Sequence, residues 1–245
     1  MSYLFDPANW EWLVTGNNFR FILEGFLVNL EIAVIAMAFA LAFGLLLALA
    51  RLTRVRPVAV AAGAWVDVFR NLPLIFLILY LALGLPAPWR NAYEDVVPSF
   101  FPEALQSGRV LAALLGLVLY NSAVLAEIMR AGILSLDRGQ GEAASALGMT
   151  YGQSLRFVIL PQAVRRVVPP LLNDFISLQK DVALVSVLGV VEAFRQAQID
   201  ASRDFNYTPL VAAALLYIAV TVPLARILDR QQRRARRRTG QVMTV

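Results

Sequence analysis

Lys180 and Asp181 stand side by side near the end of a long apolar stretch, where a charge must either pair with another or face water. Asn173, Ser177 and Lys180 recur at i, i+4 and i+7, so on a helix they share one face, and Asp174 and Asp181 share the neighbouring face. Adjacent helical residues point apart, so Lys180 and Asp181 cannot simply neutralise each other across a turn. Arg70 and Asn71 interrupt a second apolar run beside Pro73, and Asn121 and Ser122 sit within a third. Glu127 and Arg130 at i, i+3, and Arg20 and Glu24 at i, i+4, have the spacing of mutual ion pairs. Such groups can bind and orient a polar solute, or they can tie helices together. Covalent chemistry has far fewer means. The 245 residues include no histidine and no cysteine, which removes Ser-His-Asp and thiol catalysis, disulfides, iron–sulfur clusters and the commonest zinc ligand. Lys180 is the only lysine and follows Phe-Ile-Ser-Leu-Gln rather than a glycine loop, so the chain has no G-x-x-x-x-G-K-[ST] with which to cradle ATP.

The elements that would carry these residues are membrane spans. Hydrophobic residues make up 59% of the chain and charged ones 16%, with a mean hydropathy of +0.64. An ordinary soluble domain has roughly 25% charge. A helix crosses the hydrocarbon core in about 20 mostly apolar residues. Five stretches meet that length: Gly25–Ala50, Val58–Leu85, Val110–Met129, Val167–Val191 and Pro209–Leu228. Pro73 interrupts the second. Pro169 and Pro170 remove two backbone donors from the fourth and predict a break or bend at its start. No internal repeat is evident, and the expectation is a single domain over residues 1–245.

Arginine sets the orientation. Arg51, Arg54, Arg56, Arg130, Arg138, Arg156, Arg165, Arg166 and the seven between Arg226 and Arg238 fall on one side of the five-span arrangement. Only Arg20, Arg90, Arg109, Arg195 and Arg203 fall on the other. The positive-inside rule therefore predicts an outer N-terminus and a cytoplasmic C-terminus. Met1–Phe19 lacks the basic region of a signal peptide and carries Trp10, Trp12 and Phe19, so it reads as an amphipathic or flexible leader on the outer face. The basic tail, 231–245, is expected to anchor against anionic lipid rather than bind nucleic acid.

The loop over 132–166 holds the stretch GQGEAASALG, residues 139–148. Glu142–Leu147 are mostly good helix formers, Glu142 suits a helix start, and Gly148 can adopt the left-handed turn that ends one. After nine intervening residues Gly148 is followed by Val158-Ile159-Leu160-Pro161. Together these resemble the EAA motif of bacterial ABC importer permeases, E-A-A-x-x-x-G-x9-I-x-L-P, with Val158 in place of isoleucine. FRNLPL at Phe69–Leu74 and SAVLAEIMRAGI at Ser122–Ile133 are similar to runs in the polar amino-acid permease subfamily, with Val124 where tyrosine is usual. The resemblance covers roughly residues 20–230.

The resemblance implies an all-α membrane protein with the type I ABC importer permease fold: five transmembrane helices and a cytoplasmic coupling helix. It implies that Gly139, Gln140, Glu142, Ala143, Ala144, Gly148 and Pro161 serve docking to a separate ATPase. ATP and Mg²⁺ would then belong to that partner, and this chain would bind no cofactor or metal. Implied partners are two ATPase subunits, a second copy or a related permease, an extracytoplasmic binding protein and membrane lipid. The location would be the bacterial cytoplasmic membrane. A zwitterionic amino acid needs a cation for its carboxylate and an acceptor for its ammonium, so Arg70, Asn71, Asn121, Ser122, Glu127, Ser177, Lys180 and Asp181 become candidate path residues. FRNLPL leans toward acidic amino acids. After Lys-Asp the subfamily usually has T-S-L, whereas this chain has Val182-Ala183-Leu184, two hydroxyls fewer. A secondary transporter driven by an ion gradient is the rival reading, but it leaves the EAA spacing without a role.

Overall fold

The computed structural model describes residues 6–238, and among these it is helical with no strand. A 3₁₀ turn over Pro7–Trp10 leads into α1 (Glu11–Val14) and α2 (Asn18–Leu52). Next come α3 (Arg56–Asn71), α4 (Leu74–Gly84), α5 (Ala87–Val96), α6 (Glu103–Gln106) and α7 (Gly108–Leu134). The remainder is α8 (Arg138–Ala146), α9 (Tyr151–Ser154), a π turn over Leu155–Ile159, α10 (Leu160–Asp181), a 3₁₀ turn over Val182–Leu188, α11 (Ala193–Asp204) and α12 (Thr208–Arg238).

Three helices among the described residues are long and apolar enough to span a membrane alone: α2, α7, and α12 over Thr208–Arg230. The expected second span is two helices, α3 and α4, which pass that test only as a pair. They separate at Leu72-Pro73, because proline offers no N–H and drives the residue before it out of the helical region. Asn71 closes α3 by donating its side-chain amide to the carbonyl of Asp67 at 2.6 Å.

The expected fourth span differs more. It begins at Leu160, and α10 runs through Pro169 and Pro170 without ending, so the predicted break is not at the prolines. Regularity fails instead at the π turn before α10 and at Val182, where the chain tightens into 3₁₀ geometry. Arg165, Arg166, Asp174, Lys180 and Asp181 keep α10 outside the apolar test.

The chain divides into two compact units. The first comprises residues up to Ala38, Leu72–Val118 and Ile176–Leu224. Trp12, Ile22 and Phe26 pack there with Ala193, Ala197, Ala212 and Ala213, and Phe26 meets Tyr217 edge-on at 5.3 Å. Trp12 of the leader is part of this core, with Trp10 and Leu13 packed against it. Trp12 is buried and its indole N–H donates to the Thr208 hydroxyl. Asn206 donates to the Asn9 carbonyl at 2.7 Å, and Asp6 caps the opening turn. Met1–Phe5 lie outside the described residues.

The second unit comprises Phe39–Asn71, Leu119–Phe175 and Ala225 onward. Leu47, Ala48, Ala62, Val66, Ala123, Ala126 and Met129 form its core. Helices in lipid gain little from burying apolar surface, so they associate through small residues that let backbones approach. Gly44 shows why: a Cβ there would come within 2.9 Å of the Ser122 carbonyl oxygen. The basic tail continues α12 to Arg238, and residues 239–245 lie outside the described part.

Candidate coupling surface and polar path residues

In the second unit, α8 is a nine-residue helix with both ends closed. Asp137 caps its start, its carboxylate accepting from the Gly139 N–H at 2.8 Å. The expected start at Glu142 is corrected: Asp137 nucleates the helix earlier, and Glu142 falls in its middle. At the other end the Met149 N–H donates to the Ala144 carbonyl at 3.1 Å and the Gly148 N–H to Ser145 at 3.0 Å. That pair of bonds is the Schellman closure, which needs a left-handed residue, and Gly148 supplies it at φ +79°. Space around Gly148 is open, so the demand for glycine comes from the backbone alone.

The two ends fix which side of α8 is presented. Ala144 is buried and anchors the helix, whereas Gly139, Gln140, Glu142, Ala143 and Gly148 are exposed. Gln140 accepts from Gln162 at 3.1 Å, tying α8 to the first turn of α10, where Pro161 is exposed. Leu147, at the end of α8, and Tyr151, at the start of α9, stand 83% and 84% exposed. Neither drew notice in the sequence, where single apolar residues in a loop carry no period. Thr150 and Gln153 form a reciprocal capping box that starts α9, and Arg166 donates to the Ser135 hydroxyl at 3.0 Å across the base of the loop. The result is a rigid, small-surfaced helix with an apolar edge.

Glu127, also in the second unit, is held between two arginines. Its Oε2 lies 3.0 Å from Arg130, as the i, i+3 spacing predicts, and its other oxygen pairs with Arg51 of α2. Arg51 had counted only toward topology, because sequence spacing cannot bring residues 51 and 127 together. Asn121 and Ser122 are buried, and the Ser122 hydroxyl donates to the Leu119 carbonyl at 2.9 Å on its own helix. Arg70 and Asn71 are exposed at the end of α3.

In the first unit, Ser177 and Lys180 are exposed on α10, and Asp181 is half-buried where the α-helix ends. Next to them lies a network that sequence reasoning missed. Asn29, fully buried on α2, donates to the Gln179 carbonyl at 2.8 Å. Its own carbonyl accepts from the Tyr217 hydroxyl at 2.8 Å, and that hydroxyl lies 3.2 Å from Glu192. Glu192 is fully buried and caps α11, accepting from the Phe194 and Arg195 N–H groups at 2.8 Å each. Asn29, the Gln179 carbonyl and Glu192, all buried, and the half-buried Tyr217 thus link residues on either side of the turn that follows Lys180 and Asp181. The only signal in the sequence was an acidic residue three positions after a glycine.

Residues 18–237 match the family described as the binding-protein-dependent transport system inner membrane component. The chain belongs to this family. Among characterised permeases it is 34% identical over 225 residues to the glutamate/aspartate import permease protein GltK of Escherichia coli, across 91% of this chain and 97% of that one. It is 34% identical over 205 residues to the arginine transport system permease protein ArtQ of Bacillus subtilis, across 83% and 87%. A crystal structure of an amino acid ABC transporter with histidines superimposes with a TM-score of 0.72 at 30% identity, covering 88% of this chain and 94% of that one. The permease of the MetNI methionine transporter, at 21% identity and a TM-score of 0.64 over 88% and 96%, shares the fold. The chain is an ABC importer permease of the polar amino-acid type, and the run Glu142-Ala143-Ala144 lies on α8, which Gly148 closes.

Proposed function

We propose that this permease carries an acidic amino acid, glutamate or aspartate, into the cell by alternating access, driven by separate ATPase subunits that dock on α8. The observation that carries the coupling is the doubly capped helix with Glu142, Ala143, Leu147 and Gly148 open to a partner. The lean toward acidic substrates rests on FRNLPL and on similarity to GltK. Two ATPases, a second copy or a related permease, and an extracytoplasmic binding protein complete the importer. α10, despite its charges, is the remaining span of a five-span subunit whose polar face meets water or the partner rather than lipid. Its N-terminus is outside and its basic C-terminus in the cytoplasm. ATP and Mg²⁺ belong to the ATPase, and this chain contributes no cofactor site.

The experiment is uptake into proteoliposomes holding the assembled importer, with binding protein outside and ATP inside. Labelled glutamate and aspartate should enter only when ATP and the binding protein are both present. Entry driven by a proton or sodium gradient alone would overturn the reading. Entry of glutamine or arginine in preference would overturn the acidic assignment while leaving the coupling intact.

A further inference from the structure

Asn29, Tyr217 and Glu192 form a line of three side chains in which the hydrogen atoms can be counted. The Gln179 carbonyl can only accept, so Asn29, 2.8 Å away, turns its amide nitrogen toward it. The Asn29 carbonyl then faces the Tyr217 hydroxyl at 2.8 Å, and it too can only accept. Tyr217 has one hydrogen, and that contact uses it. Its oxygen meets Glu192 Oε2 at 3.2 Å with no hydrogen of its own left to place between them. Turning the Tyr217 hydrogen to Glu192 would only move the conflict to the shorter Asn29 contact. Asn29 and Glu192 have no exposed surface, so bulk water does not supply the missing donor. With Glu192 ionised, the line is one hydrogen short.

The charges nearby do not hold Glu192 as an anion. It follows the fourth apolar stretch and caps α11, where its partners are the neutral Phe194 and Arg195 N–H groups. On α11 the Arg195 side chain donates to Gln198 at 3.2 Å, and Asp200 accepts from Gln196 at 3.2 Å and lies 3.9 Å from Arg203. On α2, which carries Glu24 and Glu31, Glu24 pairs with Arg20. Arg109 of α7 reaches the Leu188 carbonyl at 3.5 Å. Lys180 and Asp181 end α10, Glu11 opens α1, and α12 has Tyr217 but no charge between Thr208 and Leu224. Among the described residues none of these side chains forms an ion pair with Glu192. Burial pushes its carboxyl up to about 7, although the two capping N–H groups favour the charged form.

We propose that Glu192 is a proton-binding site: Oε2 carries a proton and donates it to the Tyr217 oxygen. The proton comes from solvent and converts the carboxylate to the neutral acid. Hydrogen bonds then run in one direction, from Glu192 to Tyr217 to Asn29 to the Gln179 carbonyl, and every acceptor has a donor. Both carboxyl oxygens still accept from the α11 cap. The line ties α11 and α12 to α2 and to the end of α10, where the chain leaves α-helical geometry for the turn Val182–Leu188. Loss of the proton leaves two acceptors in contact, so Tyr217 gives up either Glu192 or Asn29. A carboxyl that binds its proton more tightly in the folded state stabilises most at low pH, and that contribution fades as pH rises through about 7. The site depends on neither the substrate nor the ATPase, so it stands or falls apart from the transport reading.

The test is an infrared titration of the assembled importer in lipid nanodiscs, with Glu192→Gln subtracted to identify the Glu192 band. At about pH 6 the wild type should show a protonated-carboxyl band that the variant lacks, and this band should fade toward about pH 8. A Glu192 that is carboxylate throughout would overturn the proposal. Tyr217→Phe should weaken proton binding several-fold, because the acid loses its acceptor. Were Tyr217 the donor to an ionised Glu192, the same change would strengthen proton binding, and that result would also overturn it. If Glu192→Gln does not assemble, the band is the one whose midpoint Tyr217→Phe moves, and no moving band means no site. The melting midpoint of the wild type should fall toward that of Glu192→Gln over the same pH interval. A difference that stays constant with pH would count against the site.

Discussion

Arg51, on α2, pairs with Glu127, on α7, although α3 to α6 and most of α7 separate the two in the sequence. Arg130 shares the same carboxylate from one turn away, and both arginine side chains are largely covered, 19% and 31% exposed. One carboxylate therefore balances two guanidinium groups, which makes Glu127 the member whose loss leaves like charges facing each other.

Glu127→Gln should accordingly lower the melting midpoint of the assembled permease more than Arg130→Gln does. A partly buried pair that loses one partner costs roughly 1–3 kcal/mol. The double variant Arg51→Gln/Glu127→Gln should recover part of that loss, because it removes the uncompensated cation. Thermal melts of the wild type, Arg51→Gln, Glu127→Gln and the double variant close the cycle, and additive losses would show that the pair does not couple.

Gly148 should tolerate asparagine better than alanine or valine. Its φ of +79° costs a side-chain-bearing residue roughly 1–2 kcal/mol, less for asparagine, and no neighbour obstructs a Cβ. ATP-dependent uptake should fall in the order Gly, Asn, Ala, Val while the amount of membrane-inserted permease stays constant. Equal uptake by all four would mean that the end of α8 does not transmit the ATPase stroke.

Leu147→Asp tests the exposed edge of α8 without touching the core. The side chain is 83% exposed, so the melting midpoint of the permease alone should move little. Co-purification of the ATPase should drop markedly, since a carboxylate would have to be desolvated in the docked state. Undiminished capture would place the contact elsewhere on the loop.

Glu192→Ala should destabilise the permease by about 2–3 kcal/mol, through loss of two capping bonds to α11 and of the Tyr217 contact. Glu192→Gln keeps one acceptor oxygen and should cost less. Tyr217→Phe removes the hydroxyl that joins Glu192 to Asn29 and should cost about 1 kcal/mol. Thermal melts in one lipid composition rank the three, and Tyr217→Phe falling below Glu192→Ala would contradict the geometry.

Much of this protein was legible before any fold was known. Apolar run lengths identified α2, α7 and α12, because a bilayer demands a minimum length whatever the packing. The spacing from Glu142 to Pro161 identified the loop and its family, and Gly148 announced the end of α8, since a left-handed residue is a local requirement. The i, i+3 pairing of Glu127 with Arg130 was likewise written in one helix. Local rules misled where they competed with their surroundings. Asp137 captured the start of α8 ahead of Glu142, and α10 continued through its two prolines.

Only the tertiary structure could join Arg51 to Glu127, pack Trp12 beneath Thr208, or assemble Asn29, Gln179, Glu192 and Tyr217 into one buried network. Those contacts link helices far apart in the chain, and no periodicity records which face meets which. The same holds for the side of α8 that turns outward: composition specified a small-surfaced helix, but the burial of Ala144 decided that Glu142, Ala143 and Leu147 would stand exposed. Hydrophobic length and backbone chirality act residue by residue and can be read in order. Pairing between helices depends on where the rest of the chain goes.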